Sequence, residues 1–252
     1  MDRRLKKLIY GLFYFIILSL IGFWFYSSFL KPRPSCFDKI RNQDEEGVDC
    51  GGICGQLCFP EDFQELKVTQ EKIFPIDSEH LTLFAEIRNS NLNFAAKNFK
   101  YTFNVYNTKN EIIKTLTSEN FIFENDTSYL LFPNLNLVSS STKSLNMIIE
   151  DVSWVKAKDF KKPNFSISET QISLDENYIK VSGLAANQTP FDAKNIKIIV
   201  VLYDNLSRPI GASMTTLDDL VSNTTRPFRI SHPPLDNFKK ENYKIFISAP
   251  AF

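Results

Sequence analysis

Residues 8–30 read LIYGLFYFIILSLIGFWFYSSFL without a charged side chain, and this stretch restricts the chain more than any other. As a helix rising 1.5 Å per residue it spans roughly 34 Å, enough for the ~30 Å hydrocarbon layer of a bilayer. Only a helix carries a single backbone pass through lipid with its polar groups satisfied. Arg3, Arg4, Lys6 and Lys7 precede the run with only Asp2 against them, while Lys31 and Arg33 follow. The basic bias predicts residues 1–7 as a cytoplasmic tail, 8–30 as a transmembrane signal anchor, and everything beyond as extracytoplasmic. A cleaved signal peptide calls for a shorter apolar core and small residues at its end; this run ends in Trp24, Phe25, Tyr26, Phe29 and Leu30.

The formal charge balance is zero, but residues 34–252 hold 23 basic and 28 acidic side chains, a net of −5. Such a surface lacks the concentrated basic face that nucleic acid requires. Phe is abundant at 23 residues and Gly scarce at 8, a composition suited to packed strands.

All four cysteines, Cys36, Cys50, Cys54 and Cys58, fall in a short segment after the anchor, spaced C-x13-C-x3-C-x3-C. Outside a membrane an even count in so small a segment points to disulfides, with three pairings open. Zinc is the competing use of four thiolates, but structural zinc sites have close pairs at both ends. The predicted stapled segment is 31–62. Asp38, Asn42, Asp44, Glu45 and Asp49 gather hard oxygen donors there, and calcium is the ion that such donors suit, although the order is not that of an EF-hand. A solvated acidic loop is the simpler alternative.

From Phe63 onward the pattern has period two. Leu81, Leu83, Ala85 and Ile87 alternate with Thr82, Phe84, Glu86 and Arg88; Phe99, Tyr101, Phe103 and Val105 alternate with Lys100, Thr102, Asn104 and Tyr106. The expectation is strands with one buried and one wet face. Further strands are expected near Ile112 to Leu116, Phe121 to Phe123, Tyr129 to Leu137 and Leu145 to Ile149. The plan then recurs: Ala96-Lys97-Asn98 is answered by Ala193-Lys194-Asn195 at an offset of 97, with Asn89 and Asn187 one residue out of that register. A second set of strands is expected at Phe165 to Leu174, Ile179 to Asn187, Asn195 to Asp204, Ile210 to Leu217, Thr224 to Ser231 and Tyr243 to Ala249. The fold class that follows is all-β: two tandem antiparallel immunoglobulin-like sandwiches, 63–156 and 163–252, joined by a polar linker over 156–163.

Two resemblances follow from these residues. Cys36-Phe37-Asp38 through Cys50-Gly51-Gly52-Ile53-Cys54 resembles a short acidic, cysteine-bearing element of bacterial surface proteins, C-x-D-G-x-x-N-x-x-E-x-G-x-D-C-G-G-x-C. Lys39 stands where that pattern has Gly. Phe103-Asn104-Val105-Tyr106-Asn107 and Val200-Val201-Leu202-Tyr203-Asp204 resemble the F-x-L-Y-D signature of small envelope sandwich domains. The resemblances imply a bacterial cell-envelope protein without catalytic residues. Physically, Phe103, Val105, Val200 and Leu202 belong on a core row, and Asn107 and Asp204 start turns by bonding their own backbone. A structural role is also expected for Tyr106 and Tyr203.

Chemistry is sparse. His80 and His232 occupy unlike places and are expected at the surface. No metalloprotease, nucleophile-elbow or phosphate-loop motif occurs. Five N-x-S/T triplets, at Asn125, Asn164, Asn187, Asn205 and Asn223, are discounted in a bacterial chain. The expected function is non-enzymatic binding or assembly at an envelope, held to lipid through 8–30, with an envelope protein or a second copy as partner, no nucleic acid and no cofactor. A calcium-controlled surface module is the alternative. An envelope hydrolase is the third reading, resting on location and unassigned acids.

Overall fold

The computed structural model describes residues 3–30, 35–236 and 238–250. Asp2, Lys31 and Arg33, which carry part of the charge bias, lie outside the described residues. The chain forms two compact units, 1–60 and 61–252.

In the first unit, α1 (Arg3–Phe25) continues into a π-helical turn over Tyr26–Leu30. There Ser27 Oγ donates to the Trp24 carbonyl at 3.0 Å, the kind of side-chain bond that perturbs a helix register. Residues Lys6–Ser28 are long and apolar enough to cross a membrane. Leu8, Phe15 and Phe23 are each about 70% exposed, and large apolar side chains point outward along the whole run. A helix apolar on all sides finds its solvent in lipid or in a large core. The cysteine segment of the same unit is loop and turn, with one 3-10 turn at Gly52–Cys54.

The described residues of the second unit form twelve strands. The first six are β1 (Lys67–Pro75), β2 (His80–Arg88), β3 (Phe94–Asn107), β4 (Ile112–Ile122), β5 (Thr127–Asn136) and β6 (Thr142–Lys156). The second six are β7 (Phe165–Leu174), β8 (Ile179–Asn187), β9 (Ala193–Tyr203), β10 (Pro209–Leu220), β11 (Thr225–His232) and β12 (Tyr243–Ser248). They make four antiparallel sheets, β1-β2-β5 with β4-β3-β6, and β11-β8-β7 with β10-β9-β12. Adding six to each strand number of the first sandwich gives the second, so the duplication extends to the pairing order.

Each sandwich closes around its own core. Leu81, Leu83, Ala85 and Ile87 of β2 meet Phe99, Tyr101, Phe103 and Val105 of β3; Ile179 and Val181 of β8 meet Ile196, Ile198, Val200 and Leu202 of β9. This is two-sheet packing of inward-facing alternate residues. Glu71 of β1 accepts the Met147 N–H of β6 at 2.6 Å, tying the two sheets at an edge and covering one unpaired donor.

Four features depart from the expectations. Strand β1 carries no clean alternation because a register shift falls between Val68 and Gln70, and the segment expected at Phe121 to Phe123 begins as the tail of β4. The row opposite the core on β2 is not wet: Thr82 and Phe84 are each 1% exposed. Phe74, Phe84 and Leu131 of the first sandwich pack with Ile199, Val201 and Ala212 of the second in a third apolar core, flanked by Tyr129, Tyr203, Met214 and Phe246. The body is thus four layers of three strands. The linker is also packed down: Phe160 is buried and stacks on Phe123, ring centroids 5.0 Å apart, and Lys162 pairs with Asp126 at 2.7 Å.

Connectivity explains the stacking. Ala157, just past β6, donates to Asn93 O, while Gln64, just before β1, exchanges hydrogen bonds with Asn91. The chain therefore enters and leaves the first sandwich at one end, and the short linker returns the second alongside it, where sheet faces meet.

Candidate functional site

The cysteine segment is closed by Cys36–Cys54 and Cys50–Cys58, an interleaved pairing that leaves no free cysteine among the described residues. Thiolate ligation of zinc is therefore not what these sulfurs do. Gly51 and Gly52 have φ of 73° and 52°. A Cβ on Gly52 would sit 1.8 Å from the Asp44 carbonyl oxygen, so only glycine fits there.

Lys39, in the place of the pattern's glycine, also has positive φ, 60°. The left-handed turn is kept with a non-glycine residue, at a cost on the order of 1 kcal/mol, and its stabiliser is visible. Asp49 accepts the Lys39 N–H at 2.9 Å and the Asp38 N–H at 3.1 Å.

Two other acids of the proposed calcium set are used in the same way. Asp38 accepts from the Ile40 N–H and from the Asn42 amide at 2.8 Å, and the Asn42 bond is the main cause holding its carboxyl below the ordinary range. Glu45 is buried and accepts from the Asn42 and Asp49 N–H groups. Asp44 is exposed. The carboxylates satisfy the loop's backbone donors from within and fix its shape. In this loop, among the described residues, Asn42 Oδ1 is buried without a hydrogen-bond partner.

In the sandwiches, Phe103, Val105, Val200 and Leu202 lie fully buried on the core rows. Asn107 and Asp204 end their strands in matching turns. Asn107 Oδ1 accepts from the Lys109 and Glu111 N–H groups; Asp204 Oδ1 accepts from Leu206 and Arg208. The Arg208 backbone N–H, then its guanidinium, hold the Asp204 carboxyl below the usual value. Tyr106 is half-buried on the outer face of β3, whereas Tyr203 joins the third core with Lys244 Nζ 5.7 Å from its ring centre.

A second matched pair, noted in sequence only as a register mark, is more deeply built. Asn89 donates to the Phe94 and Phe123 carbonyls, and its Oδ1 accepts from Asn91. Asn187 donates to the Phe191 and Leu220 carbonyls, and its Oδ1 accepts from Thr189. Both are essentially unexposed, so Asn187 offers no accessible amide. They lock the β2–β3 and β8–β9 corners.

His80 sits at a turn with Nδ1 2.9 Å from Asp77, as a surface residue does. His232 does not: it is 3% exposed, on the buried row of β11 with Phe228 and Ile230. Its Nδ1 bonds the Pro233 carbonyl at 2.7 Å, and burial pushes its pKa down. The alternation Phe228, Ile230, His232 was the signal for this, masked in sequence by Pro233-Pro234.

No protein-family model matches the chain, and no curated protein matches it. Among solved structures, a crystal structure of red sea bream transglutaminase aligns over 71% of this chain and 31% of its own at 10% identity, TM-score 0.23. The chain thus spans about a third of that protein's length, and a likeness this slight carries no argument about activity.

Proposed function

We propose that this chain is a single-pass, non-enzymatic binding or assembly module of a bacterial cell envelope, with a cytoplasmic N-terminus and the double sandwich outside. One observation carries the reading: the helix over Lys6–Ser28 offers apolar side chains in every direction and is uncovered along its length, so lipid is its natural solvent. The crossed disulfides fit an oxidising compartment. Binding falls to loops and free strand edges; β4, which among the described strands pairs with β3 alone, begins at such an edge with Ile112 and Ile113 exposed.

The test has two arms. A C-terminal tag should be cut by protease added to intact spheroplasts, and a photo-crosslinker at Ile113 should capture one discrete envelope protein or a second copy. A tag protected until lysis removes the topology; monomer recovered from every crosslinked position removes the binding role. A calcium-dependent variant of the reading draws on the orphaned Asn42 Oδ1. It predicts a higher melting temperature with calcium than with chelator, and equal values in both would dismiss it.

A further inference from the structure

The motif that marks the duplication also brings the two copies together. Ala96-Lys97-Asn98-Phe99-Lys100 and Ala193-Lys194-Asn195-Ile196-Lys197 are equivalent in sequence. One cleft of about 480 Å³ between the sandwiches is lined by Lys97 and Asn98 of the first and by Asn195 and Lys197 of the second. Both segments have irregular backbone there. The β3–β6 ladder slips on either side of Asn98, and Asn195 has a φ of 52°; such breaks re-aim side chains out of a regular strand row.

Register sets which side chains reach the cleft. Asn98 stands opposite Ser153 of β6, and Lys197 opposite Ser248 of β12, and both serines line the same space. Each sandwich therefore presents a cross-strand pair on one face. Lys197 shares the outer row of β9 with Ile199 and Val201, at the end where that row leaves the third core.

The charges do not balance. Lys97, Lys197 and Glu119 are the charged residues lining the cleft, a net of +1. The Glu119 carboxylate accepts from the Asn98 amide at 3.2 Å. Among the described residues neither ammonium has a carboxylate at ion-pair distance. Lys97 is exposed, but Lys197 is half-buried, and desolvation pushes its pKa down. A partly desolvated ammonium without a counter-charge carries a penalty that a bound anion relieves. Phe121 and Pro250 give the cleft an apolar side.

We propose that this cleft is a binding site for a small monocarboxylate, its oxygens received by the Lys197 and Lys97 ammonium groups and its body resting against Phe121 and Pro250. One negative charge neutralises the lining. The site lies wholly within the double sandwich and stands or falls apart from the membrane topology.

The test uses the full chain in detergent micelles at low salt, with lysine Cε–Hε groups observed by NMR during titration with sodium benzoate. Lys97 and Lys197 should shift saturably. Lys194 and Lys100 hold the equivalent motif positions in the opposite copies and do not line the cleft, so they should not. Benzamide, the uncharged isostere, should leave all four in place. Lys197→Gln, followed through Lys97, should weaken benzoate binding roughly tenfold, the scale of a charge-assisted hydrogen bond. Lys97→Gln, at an exposed position, should weaken it about threefold, and Lys194→Gln should leave it unchanged. Both cleft substitutions spare the two cores, so the fold is retained. Shifts at Lys197 no larger than those at Lys100 and Lys194 overturn the proposal. So do equal responses to benzoate and benzamide, or equal losses in Lys197→Gln and Lys194→Gln.

Discussion

The two sandwiches share a strand order and differ in which face each keeps dry. On β3 and β9, related by an offset of 97, the inner rows are equivalent: Phe99, Tyr101, Phe103 and Val105 against Ile196, Ile198, Val200 and Leu202, all buried. The outer rows diverge, Thr102 and Asn104 standing where the second copy has Ile199 and Val201. The second sandwich buries this row against the first, while the first leaves it to solvent and offers the outer face of β2, with Phe84, instead. A duplicated fold has become an asymmetric pair by changing one row on each of two strands and leaving both cores alone.

The largest expected effect breaks that asymmetry. Val201→Asp places an unpaired carboxylate in the third core and should cost about 4 kcal/mol, whereas Asn104→Asp, the same change at the equivalent site, should stay within about 0.5 kcal/mol. Urea unfolding of the two variants gives the difference. Equal losses would mean that the sandwiches do not use their outer faces differently.

The next effect tests what the copies hold in common. Asn89→Ala and Asn187→Ala each remove two buried donations and orphan the carbonyls that received them, at a cost of roughly 3 kcal/mol in either copy. A large loss at one site and a small one at the other would show that the matching corners carry unequal weight.

These comparisons mark how far the sequence was legible. Period-two rows and turn residues made the duplication and eleven of the twelve described strands readable, β1 being the exception, because alternation reports a half-buried strand directly. The interface was written less openly: Ile198 to Leu202 is apolar at every position, the mark of a strand covered on both sides, and Phe84 is a single ring in an otherwise polar row. Neither feature names the surface that covers it. The disulfide pairing was closed to inspection, since three connectivities are compatible with one spacing. Lys39 shows a further limit: its side chain argues against a left-handed turn, and the carboxylate of Asp49, ten residues away, decides otherwise.

Acid should separate the copies more gently. His232, on the buried row of β11, has its folded pKa below the ordinary 6.5, so the unfolded chain binds the proton more readily. Its contribution to stability is complete above pH 6.5 and is lost as pH falls from there toward the folded pKa. The carboxylates of Asp77 and Asp204, both held below 3.8, act only at lower pH. No described strand of the first sandwich has a buried histidine, so the second should loosen first. Hydrogen-exchange protection, corrected for the intrinsic amide rate at each pH, should fall between pH 7 and 5 in β10 and β11 before β2 and β3, and His232→Asn should remove the difference.

The smallest stability change sharpens the comparison from the other side. Thr102→Ile with Asn104→Val gives β3 the outer row of β9. It deletes two exposed cross-strand bonds, Thr102 with Thr117 and Thr115 with Asn104, and adds β-branched residues that favour a strand, so the net should lie within about 0.5 kcal/mol. The consequence appears in association. A sheet face with apolar residues and nothing upon it is a docking surface, and in the native chain the same row is covered by a neighbouring sheet. The double variant should therefore sediment as a concentration-dependent oligomer where the native chain's behaviour is unchanged, and adding Lys at 104 in place of Val should reverse it. If the variant's sedimentation matches that of the native chain, then the pairing of the sandwiches depends on the short linker holding them together and not on the complementarity of their faces.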